Sequence, residues 1–105
     1  AEAAFALGNT TTALSDINAI RKRAGLKDLT TITREAIWKE RRLELALEHD
    51  RQFDIIRQEE VQAGRAVDAF KAHGKTFVKN KHELLPIPAV QIQLSGGVLT
   101  QNPGY

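Results

Sequence analysis

Apolar residues recur at helical spacing in the first part of the chain. Leu14, Ile17 and Ile20 are three residues apart and Ala24 follows four positions later, so they fall on one side of a helix. Asn9, or one of the three threonines after it, is the expected N-cap, because a short polar side chain there accepts a hydrogen bond from the first turn. The pattern predicts a helix that packs one apolar stripe against a core.

Glycines mark the end of this helix and of the segment before it. Gly25 is expected to adopt the left-handed conformation that closes a helix, with Leu26 folding back on the helix. Residues 1–7 have the pattern of a helix end, which Gly8-Asn9 stops. Two helices joined in this way form an antiparallel hairpin of the kind stacked in tetratricopeptide-like repeats.

A single hairpin of this kind cannot bury its own apolar face. The chain also begins within a helical pattern and contains no methionine. We therefore expect this chain to be a piece of a larger α-helical protein, in which a partner segment covers apolar side chains such as Phe5 and Leu7.

A second apolar pattern predicts a long helix from Thr33 onward. Thr33 is the expected N-cap, and Glu35 lies in the first turn, where a negative charge favours the helix dipole. A bend is expected at His49-Asp50, because aspartate prefers helix caps to helix interiors. The residues of this segment expected to fill the core are Ile37, Trp38, Leu45, Leu47, Phe53, Ile55 and Ile56.

A third helical pattern covers residues 61–73 and ends at Gly74. The apolar residues that share one face of this predicted helix are Ala63, Ala66, Val67 and Phe70. Core packing is expected for the four aromatic residues that fall in helical patterns, Trp38 among them, so a sugar-binding site wholly inside this chain is not expected.

The chain after Gly74 has a different character. Residues 76–78 and 84–88 are expected to be extended, since proline disfavours a helix and restricts the residue before it. Pro88 is expected at the first position of a short helix through Leu94, and residues 98–105 are expected to form an ordered tail. The fold class predicted is mainly α, with a helix pair in residues 1–25, helices in 33–74 and an extended, loop-rich tail in 75–105.

The composition excludes or disfavours several kinds of functional site. There is no cysteine, which excludes disulfides, zinc–thiolate sites and cysteine nucleophiles. Fifteen basic residues are interleaved with thirteen acidic ones, for a net charge of +2, and this mixture disfavours a nucleic-acid-binding patch. No apolar run approaches the roughly 20 residues that a membrane-spanning helix needs. No cofactor is expected.

The densest charge lies in residues 39–54. On a continuous helix, Arg41, Glu44, Glu48 and Arg51 would follow one side with alternating sign, and Asp54 would extend the series. One interpretation is a carboxylate pair for metal or acid–base work, but the neighbouring histidine would point about 100° away. The favoured interpretation is a structural salt-bridge network, with no metal site, no catalytic residue and no enzymatic activity.

Five segments, in order, resemble the SusD/RagB-like family of outer-membrane nutrient-binding lipoproteins of Bacteroidetes. Residues 17–26 (INAIRKRAGL) are similar to its N-x-I-R-x-R-A-G-L segment, and residues 37–48 (IWKERRLELALE) to its E-R-R-x-E-L-x-x-E helix. Residues 51–57 (RQFDIIR) are similar to R-x-F-D-L-x-R, 84–88 (LLPIP) to L-x-P-I-P, and 101–105 to a terminal Q-N-P-G-Y. The chain departs from the family at His49-Asp50, where a glycine is usual, and at Gln58-Glu59-Glu60.

The resemblance implies a C-terminal segment of a large, mostly helical protein with tetratricopeptide-like helix pairs. It also implies an N-terminal lipid anchor at the outer cell surface and a TonB-dependent, SusC-like transporter as partner, to which the protein delivers glycans or, in some relatives, peptides. The family's ligand contacts lie largely in parts outside this chain, so no ligand-binding residue is assigned. The alternatives are a helical protein–protein interaction module without sugar binding and, less favoured, a nucleic-acid binder.

Overall fold

The computed structural model describes residues 1–105, and its regular elements are helices. They are α1 (Glu2–Ala6), α2 (Thr10–Arg23), α3 (Arg34–Glu44), α4 (Arg51–Val61), α5 (Arg65–Lys71) and α6 (Ala89–Leu94). The mainly α fold class is therefore confirmed. The chain divides into two compact units, Ala1–Arg51 and Gln52–Tyr105. None of the helices has both the length and the apolar character needed to cross a membrane.

Helices α1 and α2 form the hairpin that the sequence predicts. Gly8 has φ +79°, a conformation that a residue with a side chain rarely adopts. The Asn9 amide donates a hydrogen bond to the Ala4 carbonyl at 2.8 Å, which closes α1. The Asn9 side chain then accepts from the Thr12 amide at 3.0 Å, which makes Asn9 the N-cap of α2.

The C-terminus of α2 also follows the prediction. Gly25 has φ +71°, and the Leu26 amide donates to the Arg21 carbonyl at 2.8 Å, the pattern of a Schellman motif. The expected apolar stripe needs one correction. Ala13 and Ile17 are the buried residues of α2, whereas Ala24 is exposed because it lies at the C-cap, beyond the last helical turn.

The predicted long helix is interrupted earlier than expected. Thr33 is the N-cap as predicted, but α3 ends at Glu44 and α4 begins at Arg51. Between them Leu47 (φ +70°) and His49 (φ +64°) adopt left-handed backbone, which no α-helix contains. The prediction of one long helix with a bend at His49-Asp50 is therefore wrong.

Two of the residues expected in the core are exposed. Leu47 is 95% exposed in the interrupted stretch, and Phe53 is 72% exposed on α4. Ile37 and Trp38 of α3 and Ile55 of α4 are buried as predicted.

The core of the second unit joins two helices and one extended segment. Buried Ile55 (α4), Ala66 (α5) and Phe77 form its centre, and half-buried Phe70 packs beside them with its ring centroid 5.3 Å from that of Phe77. The predicted helix over residues 61–73 is too long, since Gly64, at φ +88°, precedes the first residue of α5. Its predicted apolar face is correspondingly shortened: Ala63 lies in the turn before α5 and Val67 is exposed.

The C-terminal part of the chain matches the expected outline. Residues 75–78 and 85–88 have no regular structure, and α6 begins at Ala89 with Pro88 as its N-cap, one residue later than predicted. Gly96 and Gly97 follow α6 with positive φ angles of +64° and +88°. The extended tail is therefore interrupted by one short helix, as the prolines indicate.

Candidate functional site

Ion pairs between α2 and α3 hold the first unit together. Arg21 Nη1 lies 2.7 Å from Glu40 Oε2, and both side chains are mostly shielded from solvent. Arg21 Nε also donates to the Lys27 carbonyl at 2.9 Å. A second ion pair joins Arg23, two residues further along α2, to Glu44, one turn further along α3. The basic last turn of α2 is thus bound to carboxylates of α3.

Two side-chain contacts fix the segments around these helices. Trp38 is only 2% exposed, and its indole Nε1 donates to Glu2 Oε1 at 3.0 Å. The Asn18 side chain accepts from the Leu29 amide at 2.8 Å and donates to the Leu29 carbonyl at 3.0 Å. Trp38 therefore fills the core, as expected, and offers no open aromatic face to a ligand.

The structure distributes the predicted salt-bridge residues over several environments. Glu44 pairs with Arg23 of α2, and Asp54 accepts from Arg57 Nη2 at 2.8 Å within α4. Glu48 is exposed in the interruption after α3. A single ladder along one helix is therefore excluded, because no helix contains all five positions.

The other two predicted network residues lie at the edges of the interruption. Arg41 is in the last turn of α3 and Arg51 is the first residue of α4. Each takes part in a polar or electrostatic contact in the structure. A structural role for the five residues stays a prediction.

A buried polar cluster links α4 to α5. Gln58 is fully buried, and its amide donates to Asp54 Oδ2 at 2.8 Å, while its carbonyl oxygen accepts from Arg65 Nε at 3.1 Å. The nitrogen and the oxygen of this amide therefore each have a hydrogen-bond partner, as buried polar groups require. The sequence motif R-x-F-D contains Asp54, but nothing in it indicates the contact with Gln58.

Glu59 caps the N-terminus of α5 from the preceding helix. Its carboxylate accepts from the Gly64 amide at 2.8 Å and from the Ala66 amide at 2.7 Å. These two backbone donors, Ala66 first, lower the pKa of Glu59 below its ordinary value, and Lys79 adds to the effect, although burial opposes it. The sequence pattern indicates no role for Glu59, because its partners follow an unpredicted turn.

The C-terminal residues bind the proline-rich segment. The Gln101 side chain accepts from the Ile87 amide at 2.7 Å and donates to the Ile87 carbonyl at 2.9 Å. Asn102 Nδ2 donates to the Leu85 carbonyl at 2.6 Å, and the Tyr105 hydroxyl donates to the Leu84 carbonyl at 3.1 Å. The two family-like segments of the tail are thus partners of one another.

An open groove is found in each unit. The groove of the first unit, about 430 Å³, lies beside α3 and includes Glu40, Arg41 and Glu44 in its lining. The groove of the second unit, about 420 Å³, is lined by Gln52, Phe70, Lys75, Thr76, His82, Leu85 and Tyr105. The sequence around His82 contains no motif, because its neighbours in the groove come from distant parts of the chain. No group of three or more acidic, histidine or cysteine side chains is placed to hold a metal ion.

Paired helices, inter-helix ion pairs and a tail bound by its own side chains define a mainly helical protein. The chain belongs to the SusD family, whose family model matches residues 1–105. No curated protein and no solved structure is significantly similar to the chain. Members of the SusD family are non-catalytic binding proteins that take part in the uptake of glycans as nutrients. They are typically associated with the outer membrane.

Proposed function

We propose that this chain is a scaffold segment of a cell-surface protein that binds oligosaccharide and delivers it to a TonB-dependent, SusC-like transporter. In this proposal the protein is a lipoprotein of a Bacteroidetes outer membrane, anchored by an N-terminal lipid, and its action is binding and hand-over without catalysis. It needs no cofactor and binds no nucleic acid. The observation that carries the proposal is the family match over residues 1–105.

The contacts of the family-like residues support the scaffold role. Arg21 and Arg23, from the N-x-I-R-x-R segment, bind Glu40 and Glu44 of the E-R-R-x-E helix. The terminal Q-N-P-G-Y binds the backbone of the L-x-P-I-P segment through Gln101, among others. Because these side chains bind other residues of the family-like segments, their polar groups are already used within the protein and support the fold.

Isolation of the full-length protein from membranes of its native cell tests the proposal. We expect a lipid on its first residue, co-purification with a β-barrel transporter and calorimetric binding of an oligosaccharide. A protein that has no lipid and recovers no transporter would contradict the proposed role, whatever it binds.

The second candidate function is a helical protein–protein interaction module without sugar binding. The observation in its favour is the number of large apolar side chains that are exposed in each unit: Leu7, Leu43 and Leu47 in the first, and Phe53, Leu85, Leu94 and Val98 in the second. Exposed apolar surface of this kind is often covered by a partner. Recovery of a soluble protein partner, with no transporter and no oligosaccharide binding, would favour this function.

A further inference from the structure

The groove of the second unit is lined by both apolar and polar side chains. Phe70, Leu85 and Tyr105 supply the apolar surface, and Gln52, Lys75, Thr76 and His82 supply the polar groups. Its volume of about 420 Å³ is within the range of small-molecule sites. A sugar ring presents an apolar face and a rim of hydroxyls, which is the complement of this lining.

The hydrogen bonds of His82 set which of its ring atoms faces a ligand as a donor. Nδ1 accepts a hydrogen bond from the Val78 amide at 2.8 Å, so Nδ1 carries no proton. The neutral imidazole must then carry its proton on Nε2, which has no partner within the protein. The ring is also held in place, because it packs edge-on against Phe77 with centroids 5.8 Å apart. His82 therefore presents an oriented N–H donor.

Tyr105 provides a fixed aromatic surface in the same groove. Its hydroxyl is bound to the Leu84 carbonyl, and Lys81 Nζ lies 4.8 Å from the ring centroid, so the ring is held at two points. The side chain is nevertheless 45% exposed. A ring that is ordered in the free protein loses little conformational entropy when a ligand stacks on it.

The charge of the groove selects among sugars. Lys75 is in the lining, and Lys81 lies against the ring of Tyr105. No aspartate or glutamate side chain is in the lining; Glu83 follows His82 in sequence but lies outside it. The hydroxyl of Thr76 and the ammonium group of Lys75 have no partner within the protein, so both can contact a ligand.

We propose that this groove binds a hexuronic acid residue of an oligosaccharide. The ring stacks on Tyr105, its hydroxyls accept from His82 Nε2 and exchange hydrogen bonds with Thr76 and Gln52, and its carboxylate pairs with Lys75. This inference rests on the glycan-binding function proposed above and assigns a site and a sugar class to it.

Calorimetric titration of the full-length protein with two matched sugars tests the inference. Methyl β-glucuronoside and methyl β-glucoside differ only in a carboxylate against a hydroxymethyl group at C6. The glucuronoside is expected to bind more tightly, and its advantage is expected to shrink at high salt because screening weakens the ion pair.

Two variants locate the site. Lys75→Gln removes the charge from an exposed position and is expected to weaken glucuronoside binding by about fivefold, the factor for about 1 kcal/mol, and to leave glucoside binding unchanged. Tyr105→Phe keeps the ring and is expected to retain binding, whereas Tyr105→Ala is expected to weaken both sugars by about tenfold. Lys71→Gln, an exposed lysine outside the groove lining, is the matched control.

The outcomes separate this inference from the proposed function. Equal effects of Lys75→Gln and Lys71→Gln on glucuronoside binding would overturn the uronate site. Unchanged binding of a native oligosaccharide in the same variants would then leave the proposed function standing. A full-length protein that binds no oligosaccharide at all would overturn both.

Discussion

The carboxylate of Glu59 offers the sharpest test of how the second unit is held together. It spans the turn between α4 and α5 and accepts two backbone N–H groups, from Gly64 and from Ala66. The Ala66 amide is buried, so without Glu59 it has no water to replace the lost acceptor. Replacing Glu59 therefore measures how much a carboxylate at a helix N-terminus contributes to the free energy of unfolding.

The expected magnitude follows from the number of hydrogen bonds lost. A hydrogen bond to a charged group contributes about 1.5–3 kcal/mol, and a buried donor left unpaired costs a similar amount. Glu59→Gln keeps one acceptor oxygen and turns an amide NH₂ toward the other donor. We expect it to lower the free energy of unfolding by about 2–3 kcal/mol at neutral pH.

The pKa of Glu59 predicts how this difference depends on pH. The pKa is lowered in the folded state from its ordinary value of 4.5, so the folded protein binds the proton less readily than the unfolded chain. The stabilisation is therefore complete above pH 4.5 and is lost as the pH falls through the folded-state pKa. The variant has no carboxylate at this position, so the difference between the two proteins should shrink below pH 4.5.

Denaturant unfolding, followed by far-UV circular dichroism at neutral and acidic pH, measures both effects. Amide hydrogen exchange at Ala66 gives a local readout of the same contact. Glu60→Gln is the matched control, because Glu60 is the exposed next residue of α4. If Glu59→Gln and Glu60→Gln unfold at the same denaturant concentration at neutral pH, the reasoning about this cap is refuted.

Three further substitutions test other parts of the fold. Asn18→Ala removes both hydrogen bonds to Leu29 and should destabilise the first unit by about 1–2 kcal/mol, measured by tryptophan fluorescence during unfolding. Gly64→Ala places a side chain at φ +88° and should cost about 1–2 kcal/mol by thermal unfolding, although no atom lies within 4 Å of the added carbon. Gln101→Ala removes the two hydrogen bonds to Ile87 and should increase amide exchange there by about tenfold, the factor for about 1.4 kcal/mol.

Matched controls lie on the same elements or beside them. Ser15→Ala, on the exposed side of α2, is compared with Asn18→Ala. Gln62→Ala, in the turn before α5, is compared with Gly64→Ala, and Gln93→Ala, on exposed α6, with Gln101→Ala. In each comparison, an effect of the control as large as that of the test substitution would contradict the assigned contact.

Local signals in the sequence predict the helix ends that depend on a single residue type. Gly8, Gly25 and Gly74 each have positive φ where a helix was expected to end, because glycine adopts this conformation without a steric cost. Asn9 and Thr33 cap helices for an equally local reason, since their side chains reach the amide three residues on. The hairpin and the start of α3 could therefore be predicted before any tertiary contact was known.

The interruption between α3 and α4 has no such signal. Leu47 and His49 have positive φ, yet neither is glycine, and leucine is a good helix former. Leu47 is 95% exposed and His49 is also exposed, so core packing does not account for this backbone. The burial of Phe77 has no local signal either. Phe77 lies in an extended segment but is buried, because α4 and α5 bring Ile55 and Ala66 around it. The burial of Phe77 depends on tertiary contacts, which periodicity does not contain, and nothing in the structure explains the left-handed backbone at Leu47 and His49.

The same distinction separates the family motifs from the groove. The family-like motifs include Arg21, Glu40 and Glu44, whose charged groups form ion pairs between neighbouring helices. The unpartnered groups of the groove, on Lys75, Thr76 and His82, instead belong to a segment without regular structure. Residues whose polar groups are used within the protein form the family-like motifs, whereas the proposed uronate site assigns the choice of sugar to residues whose polar groups remain available. Two members of the family with identical motifs are therefore expected to differ in ligand when residues 75–82 differ.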